Sequence, residues 1–252
     1  MTRFTLAALG CVALASFASR ATDGGWGDKR DRAVGLIVAS DGSFCSGTVV
    51  GRHAVLTAGH CIGKAQYFYI GRGDAVTTGF PNLAKMDCHA VTQQAAHPSF
   101  AGGCKPDDFG LLLLSTPIDS QIPSVNYGHA IARKSHNCDS IKFNQHLLKD
   151  KKTYNYGEKR RTSVQVTKVD KGVIEAKWAT GIADHGDSGG PLYCSREGAG
   201  DYIYGVVSCH TDGEGAGHRR EVFADVTAGR KWIDETLEKW QKLVPAPAHH
   251  KK

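Results

Sequence analysis

Three side chains that can together perform nucleophilic catalysis occur along this chain in the order His60, Asp108 and Ser188. They lie in "LTAGHC", "DDFGLLLL" and "GDSGG". A serine hydroxyl is a weak nucleophile at neutral pH, so it needs a base to accept its proton and donors to hold an oxyanion. Glycines beside Ser188 let the backbone approach a substrate, and a carboxylate at the head of an apolar strand needs a partner such as an imidazole N–H. The pattern therefore predicts a serine nucleophile with His60 as its base and Asp108 as the acid.

The segment around Ser188 also matches Gly-x-Ser-x-Gly, the nucleophile elbow of α/β-hydrolases. That fold requires a strand–turn–helix context and places the acid and the histidine after the serine. Here Pro191 and the strand-like "LYC" follow, and the rest of the chain has no βα units. The elbow interpretation is therefore disfavoured.

The elements that must position these residues are short strands. Apolar runs such as "AVGLIVAS", "CSGTVVG", "HAVLTA", "AQYFYIG" and "YIYGVVS" are separated by glycine or polar residues, without helical patterns between them. This predicts an all-β sandwich or barrel. One helix is predicted over about 229–243, ending before Pro245. The basic stretch 144–161 is expected to be a solvated loop.

The first residues predict export. Arg3 precedes an apolar run that ends in a small-x-Ala cleavage site, so residues 1–20 are interpreted as a secretory signal peptide. The run is too short to span a bilayer, and a lipoprotein signal ending at Cys11 is disfavoured because the run before it is shorter still. The polar segment 21–32 is expected to be an exposed lead-in. In an oxidising compartment most of the seven cysteines after Cys11 should form disulfides.

Taken together, these motifs resemble those of the trypsin/chymotrypsin family of secreted serine proteases. "TAGHC", "DFGLLLL" and "GDSGGPL" match its three catalytic motifs, and "REVFADVTAGRKWI" is similar to its closing strand and terminal helix. The compact "YNYGEKRRTSVQV" is most similar to short-looped bacterial members.

The resemblance implies two packed six-stranded antiparallel β-barrels in one protease domain over residues 33–243. The expected parts are an N-barrel over about 33–125, a C-barrel over about 126–226 and a C-terminal α-helix over about 229–243. Residues 244–252 would then be a tail.

The resemblance also implies roles for individual residues. The triad would hydrolyse peptide bonds through an acyl-enzyme, with the N–H groups of Gly186 and Ser188 as the oxyanion hole and Ser208 bonded to Asp108. The implied disulfides are Cys45–Cys61 and Cys138–Cys194. A guess of Cys88–Cys104 has no assigned family equivalent, and the pairing of Cys88, Cys104 and Cys209 stays open.

Activation in the family uses a new N-terminal ammonium that pairs with the acid before the serine, here Asp187. The implied cleavage follows Arg20 and makes Ala21 the mature N-terminus. "ATDGG" is a poor version of the family's Ile-Val-Gly-Gly, so activation without an inserted N-terminus stays open.

The resemblance leaves the side chain selected before the scissile bond (P1) undecided. Ile182 stands at the pocket floor, where an aspartate would select Arg or Lys, and Cys209 and His210 stand at wall positions. Glu221 aligns with a pocket-lining glycine, and its carboxylate could accept a basic side chain. Basic specificity through Glu221, an apolar or small preference through Ile182 and an acidic preference through His210 all stay open.

The net charge of +6 is modest and does not argue for nucleic-acid binding. We expect a monomer that acts on proteins or peptides and that protein protease inhibitors can bind. No cofactor and no metal site is predicted, because the histidines lack metal-ligand spacing and the family's calcium-loop acids are missing. The alternative function is a catalytically inactive binding protein with a protease fold, but such proteins usually lack a triad residue.

Overall fold

A computed structural model of the chain describes residues 32–71, 83–128, 131–147, 154–178, 187–194, 202–211 and 220–244. Of residues 144–147, 154–158 and 178 it describes the backbone alone. The predicted signal peptide, the Arg20–Ala21 junction and the C-terminal tail beyond residue 244 lie outside the described residues.

Six antiparallel strands close the first barrel in the order β1-β2-β3-β6-β5-β4. Their bounds are β1 Val34–Ala39, β2 Phe44–Gly51, β3 Ala54–Thr57, β4 Ala65–Gly71, β5 Met86–Ala96 and β6 Gly110–Leu114. The apolar runs of the sequence form β1 to β4, and side chains such as Val55, Phe68 and Leu112 fill the barrel. The 3₁₀ turn Gly59–Cys61 follows β3 directly.

A second antiparallel barrel follows the order β11-β8-β9-β10-β13-β12 and closes through pairing of β11 with β12. The strands are β8 Asn137–Leu147, β9 Tyr154–Asp170, β10 Val173–Trp178, β11 Pro191–Cys194, β12 Tyr202–Thr211 and β13 Arg220–Asp225. A short β7, Asn126–Tyr127, pairs in parallel with β12 on the outside. The prediction of an all-β fold of two six-stranded barrels with a C-terminal helix is confirmed.

The two barrels pack against each other through a shared apolar cluster. Leu56 and Phe109 of the first barrel meet Phe143 and Tyr193 of the second, together with Ile233 of the C-terminal helix. All five are nearly or fully buried. Because each barrel contributes to this cluster, residues at the facing strand ends are held in fixed relative positions.

The solvated loop expected for residues 144–161 is wrong for the part that the structure describes. Residues 144–147 and 154–161 belong to β8 and β9, which pair antiparallel from Asn137↔Gln165 to Leu147↔Tyr154. A strand tolerates charged residues where alternate side chains face outward. Arg160 is exposed, whereas Lys159 is buried with its Nζ 5.4 Å from the centre of the Phe143 ring.

The C-terminal helix, α1, spans Val226–Gln241, so it begins three residues before the predicted start. Asp225 caps it, because its carboxylate accepts hydrogen bonds from the Thr227 N–H at 2.9 Å and the Thr227 hydroxyl at 2.7 Å. The Tyr127 hydroxyl donates to Asp234 at 2.8 Å and fastens the helix to β7. Within the described ranges no helix is both long and apolar enough to cross a membrane.

Candidate active site

His60 and Asp108 form a directly bonded pair at the edge of the first barrel. His60 lies in the 3₁₀ turn after β3, and Asp108 lies two residues before β6. The Nδ1 of His60 is 2.8 Å from Oδ2 of Asp108, and the backbone N–H of His60 donates to Oδ1 at 3.0 Å. The side chain of Asp108 is fully buried, whereas that of His60 is 36% exposed. The carboxylate therefore holds His60 by one contact to the ring and one to the backbone, while the side chain stays partly exposed to solvent.

The second barrel completes the environment of Asp108. The hydroxyl of Ser208 in β12 donates to Asp108 Oδ2 at 2.6 Å. Gly59 permits the close approach on the other side, because a Cβ built there would lie 3.1 Å from Asp108 Oδ1 and 3.0 Å from the Phe109 carbonyl oxygen. The buried carboxylate thus has three hydrogen-bond donors drawn from both barrels, which compensates its loss of hydration.

Ser188 lies in the turn just before β11, close to the end of β3 that carries His60. Its carbonyl oxygen accepts a 2.7 Å hydrogen bond from the N–H of Ser46. Gly189 has φ +84°, and a Cβ there would overlap Thr57 Oγ1 and the Ser46 carbonyl oxygen. Only glycine meets both the conformational and the steric demand, so the "DSGG" sequence brings Ser188 against the first barrel.

Three disulfides surround this region. Cys45–Cys61 joins β2 to the residue after His60, and Cys138–Cys194 joins β8 to β11. These are the two pairs implied by the family resemblance. The guess of Cys88–Cys104 is wrong, because Cys104 pairs with Cys209. That bond connects the segment before Asp108 to the residue after Ser208, so it bridges the two barrels beside the buried carboxylate.

Removing the inter-barrel bridge should mainly lower stability. Replacing both Cys104 and Cys209 by serine opens a link between residues 105 positions apart. We expect the free energy of unfolding to fall by about 2–4 kcal/mol, because the unfolded chain regains entropy. Urea denaturation of the oxidised wild type and the double variant measures the change. Equal midpoints and slopes for the two proteins would show that this bridge contributes nothing to stability.

A buried ionic cluster lies behind Ser188, and sequence reasoning missed its central residue. Lys142 of β8 is 1% exposed, its Nζ is 3.1 Å from Oδ2 of Asp187, and it also donates to Oε1 of Glu221 in β13. The side chains of Asp187 and Glu221 are 4% and 0% exposed. Burial alone would lower the pKa of Lys142, but the carboxylates of Glu221 and Asp187 raise it above its usual value. The cluster therefore holds its ammonium in the charged form.

Of the predicted specificity residues, Cys209, His210 and Glu221 lie together where β12 pairs with β13, but Glu221 and Cys209 are each bonded to another residue. Glu221 is bonded to Lys142, and Cys209 is bonded to Cys104. His210 is exposed near the end of β12 and pairs in register with Glu221. Ile182 and Gly186 lie outside the described residues.

The candidate metal ligands in the described part of the chain do not support a metal ion. Among the residues that the structure describes, potential ligand atoms of Cys45, His60 and Cys61, one from each residue, lie within 4.8 Å of one another. The two sulfurs are joined as a disulfide, so neither is a thiolate that could ligate a metal.

Comparisons with known proteins agree with this architecture. The family model described as Trypsin matches residues 26–233. The chain is 25% identical to a lectizyme of Glossina austeni over 227 residues, which is 82% of each chain. It is 27% identical to human chymotrypsin-like elastase family member 3B over 228 residues, covering 81% of this chain and 83% of the relative. A solved structure of kallikrein-related peptidase 10 in complex with Zn²⁺ shares the fold, with a TM-score of 0.63, 19% identity and coverage of 84% of this chain and 98% of that one.

Proposed function

Because the chain belongs to the trypsin family, we propose that it is a secreted serine endopeptidase that uses His60, Asp108 and Ser188. The observation that carries the proposal is the hydrogen-bond network around Asp108. A fully buried carboxylate holds the Nδ1 of a half-exposed histidine at 2.8 Å and is itself held by Ser208 at 2.6 Å. This arrangement orients a base, and an inactive binding protein has no need of it.

The reaction follows from the fixed orientation of the histidine ring. With its Nδ1 proton donated to Asp108, the neutral ring has its lone pair on Nε2, where it can take the proton of Ser188. The Ser188 oxygen then attacks the peptide carbonyl carbon, and His60 returns the proton to the leaving amine as the C–N bond breaks. Water, activated by the same nitrogen, hydrolyses the acyl-enzyme. The N–H groups of Gly186 and Ser188 are the proposed donors to the oxyanion.

Covalent labelling tests this proposal. A fluorophosphonate should modify the native enzyme once per chain, and peptide mapping by mass spectrometry should place the adduct on Ser188. Only a serine beside a base reacts quickly at phosphorus, so enzyme unfolded in urea is the control and should stay unlabelled. Native enzyme that resists the probe and leaves peptides intact would support the inactive binding protein instead.

For P1 specificity we propose a small or apolar side chain. The basic preference depended on a Glu221 carboxylate that faces the pocket floor. In the structure that carboxylate is fully buried and bonded to Lys142, so it already has a cationic partner inside the protein. Ile182 at the floor position supports an apolar pocket, and the acidic preference through His210 is the remaining alternative.

Matched peptide substrates that differ only at P1 measure this preference. We expect kcat/KM for Leu or Ala to exceed that for Arg and for Glu by about tenfold or more. Glu221→Gln should keep this order, because the side chain acts on Lys142 rather than on substrate, while the unfolding midpoint falls. A preference for Arg that disappears in Glu221→Gln would restore the basic assignment.

The proposed compartment and partners follow from the enzyme class. The signal peptide predicted over residues 1–20 and the three described disulfides support export to an oxidising environment. Proteins and peptides are the proposed substrates, and protein inhibitors of serine proteases are the proposed partners. We propose that the enzyme acts as a monomer without a cofactor.

A further inference from the structure

The acid that precedes the nucleophile already has a cation inside the fold. Asp187 is adjacent to Ser188, and the Nζ of Lys142 lies 3.1 Å from its Oδ2. Both side chains are almost completely buried, and Glu221 holds the same ammonium from β13. An uncompensated buried carboxylate is strongly unfavourable, so this contact favours one position of the residue before Ser188.

Lys142 is tied to the Ser188 turn by packing as well as by charge. A Cβ at Gly190 would lie 2.9 Å from Lys142 Cβ and 2.6 Å from the Ile141 carbonyl oxygen, so the turn rests directly on β8. Gly190 N–H also donates to the Asp187 carbonyl at 3.2 Å. The turn therefore cannot shift without disturbing the strand that carries the lysine.

A second connection runs through Ser46 of β2. Its hydroxyl accepts a 2.8 Å hydrogen bond from the N–H of Phe143, the residue after Lys142. Its own N–H donates to the Ser188 carbonyl at 2.7 Å. Residues 142–143 thus hold residues 187–188 twice, once through the ion pair and once through a fully buried serine.

We propose that Lys142 is a positioning residue that supplies the cation for Asp187, so that the active conformation does not depend on a new N-terminus. This inference rests on the proposed protease function. The oxyanion-hole turn is then ordered by a lysine side chain that is present from synthesis, and not by an ammonium that cleavage creates. Glu221 binds the same ammonium from β13, which explains a buried acid at a position where the family has glycine.

The first test removes the cation. Lys142→Met keeps much of the side-chain volume, and we expect kcat to fall by about 100-fold, as for loss of an oxyanion donor, with little change in KM. Rates are expressed per mole of folded protein, so that molecules in an inactive conformation are counted. Lys142→Arg keeps a cation and should recover at least a tenth of the wild-type kcat. Lys159→Met is the matched control, because Lys159 is also buried in this barrel but donates to the Val34 carbonyl at 2.8 Å, and it should lose stability while keeping kcat.

The second test addresses the N-terminus and does not need Lys142→Met to fold. In the full chain, Arg20→Gln removes the implied cleavage site, and a Gly-Ser insertion between Arg20 and Ala21 changes the register of any new N-terminus. Both variants should retain wild-type kcat/KM. Loss of activity in either variant, or a wild-type kcat in folded Lys142→Met, would overturn the role of Lys142. A wild-type enzyme that hydrolyses nothing and resists the probe would refute the protease function instead.

Discussion

Replacing Ser188 by alanine should lower kcat/KM by about 10⁶-fold and abolish fluorophosphonate labelling. The hydroxyl oxygen is the atom that forms the acyl-enzyme, and the other triad members cannot replace it. The fold should persist, because the hydrogen bond that ties residue 188 to Ser46 uses the main-chain carbonyl, which alanine keeps. Steady-state hydrolysis, labelling and a thermal unfolding curve on one preparation measure the three quantities.

A second serine of the same barrel provides the control for this experiment. Ser140 of β8 is fully buried and pairs in register with Leu192, but it belongs to no part of the proposed machinery. Ser140→Ala should therefore label and hydrolyse like the wild type. Activity that survives in Ser188→Ala, or labelling that maps to a different serine, would show that the nucleophile is misassigned.

The barrels were predictable because strand and turn signals are local. Apolar runs of four to eight residues separated by glycine or polar residues form β1 to β4. Each triad residue lies next to a strand end, with His60 after β3, Asp108 before β6 and Ser188 before β11. The strands over residues 144–161 were not predictable in this way, because the many charged residues of this stretch indicated a solvated loop. Just beyond this stretch in β9, Val164 and Val166 face the core on alternate positions, and β8 pairs with β9 along the whole length of β8.

The parts of the site that sequence reasoning missed depend on long-range contacts. Lys142 stands between two buried apolar residues in β8, and nothing in "SIKFN" indicates that its partners are Asp187 and a glutamate 79 residues away. The Cys104–Cys209 pairing is equally invisible, since connectivity cannot be deduced from cysteine order alone. For Glu221 the resemblance suggested a carboxylate that accepts a basic substrate side chain, whereas the structure shows it bonded to Lys142.

Two of the buried carboxylates, Asp108 and Asp187, have partners of different kinds. Asp108 is held by neutral donors, namely a hydroxyl and a backbone N–H, beside a histidine ring. Asp187 instead faces an ammonium. The first arrangement leaves the negative charge of Asp108 available to stabilise an imidazolium, whereas the second uses the charge of Asp187 for position. The two acids should therefore respond differently to neutral isosteres, and Asp108 is the one whose replacement acts on the chemistry.

Changing Asp108 to asparagine should lower kcat by about 10⁴-fold with a small change in KM. The native carboxylate accepts every hydrogen bond it makes, at 3.0 Å from His60 N–H and at 2.6 and 2.8 Å on the other oxygen. If the NH₂ of the asparagine takes the place of Oδ2, it donates to His60 Nδ1, which moves the ring proton to Nε2 and removes the base. If the NH₂ takes the place of Oδ1, it faces the backbone N–H of His60, so that two donors oppose each other. Rapid kinetics with an ester and a peptide substrate measure the loss in the formation and in the hydrolysis of the acyl-enzyme.

Two companion variants separate the tautomer effect from a simple loss of charge or of one hydrogen bond. Asp41→Asn removes an exposed carboxylate that pairs with Lys64, and it should leave kcat unchanged. Ser208→Ala removes one donor to Asp108 but keeps Nδ1 of His60 protonated, so kcat should fall only about tenfold. The ordering of the three variants is the decisive result, because only control of the ring proton makes Asp108→Asn far worse than Ser208→Ala. Equal losses in those two variants would mean that Asp108 acts through packing, and the base assigned to His60 would need another source of orientation.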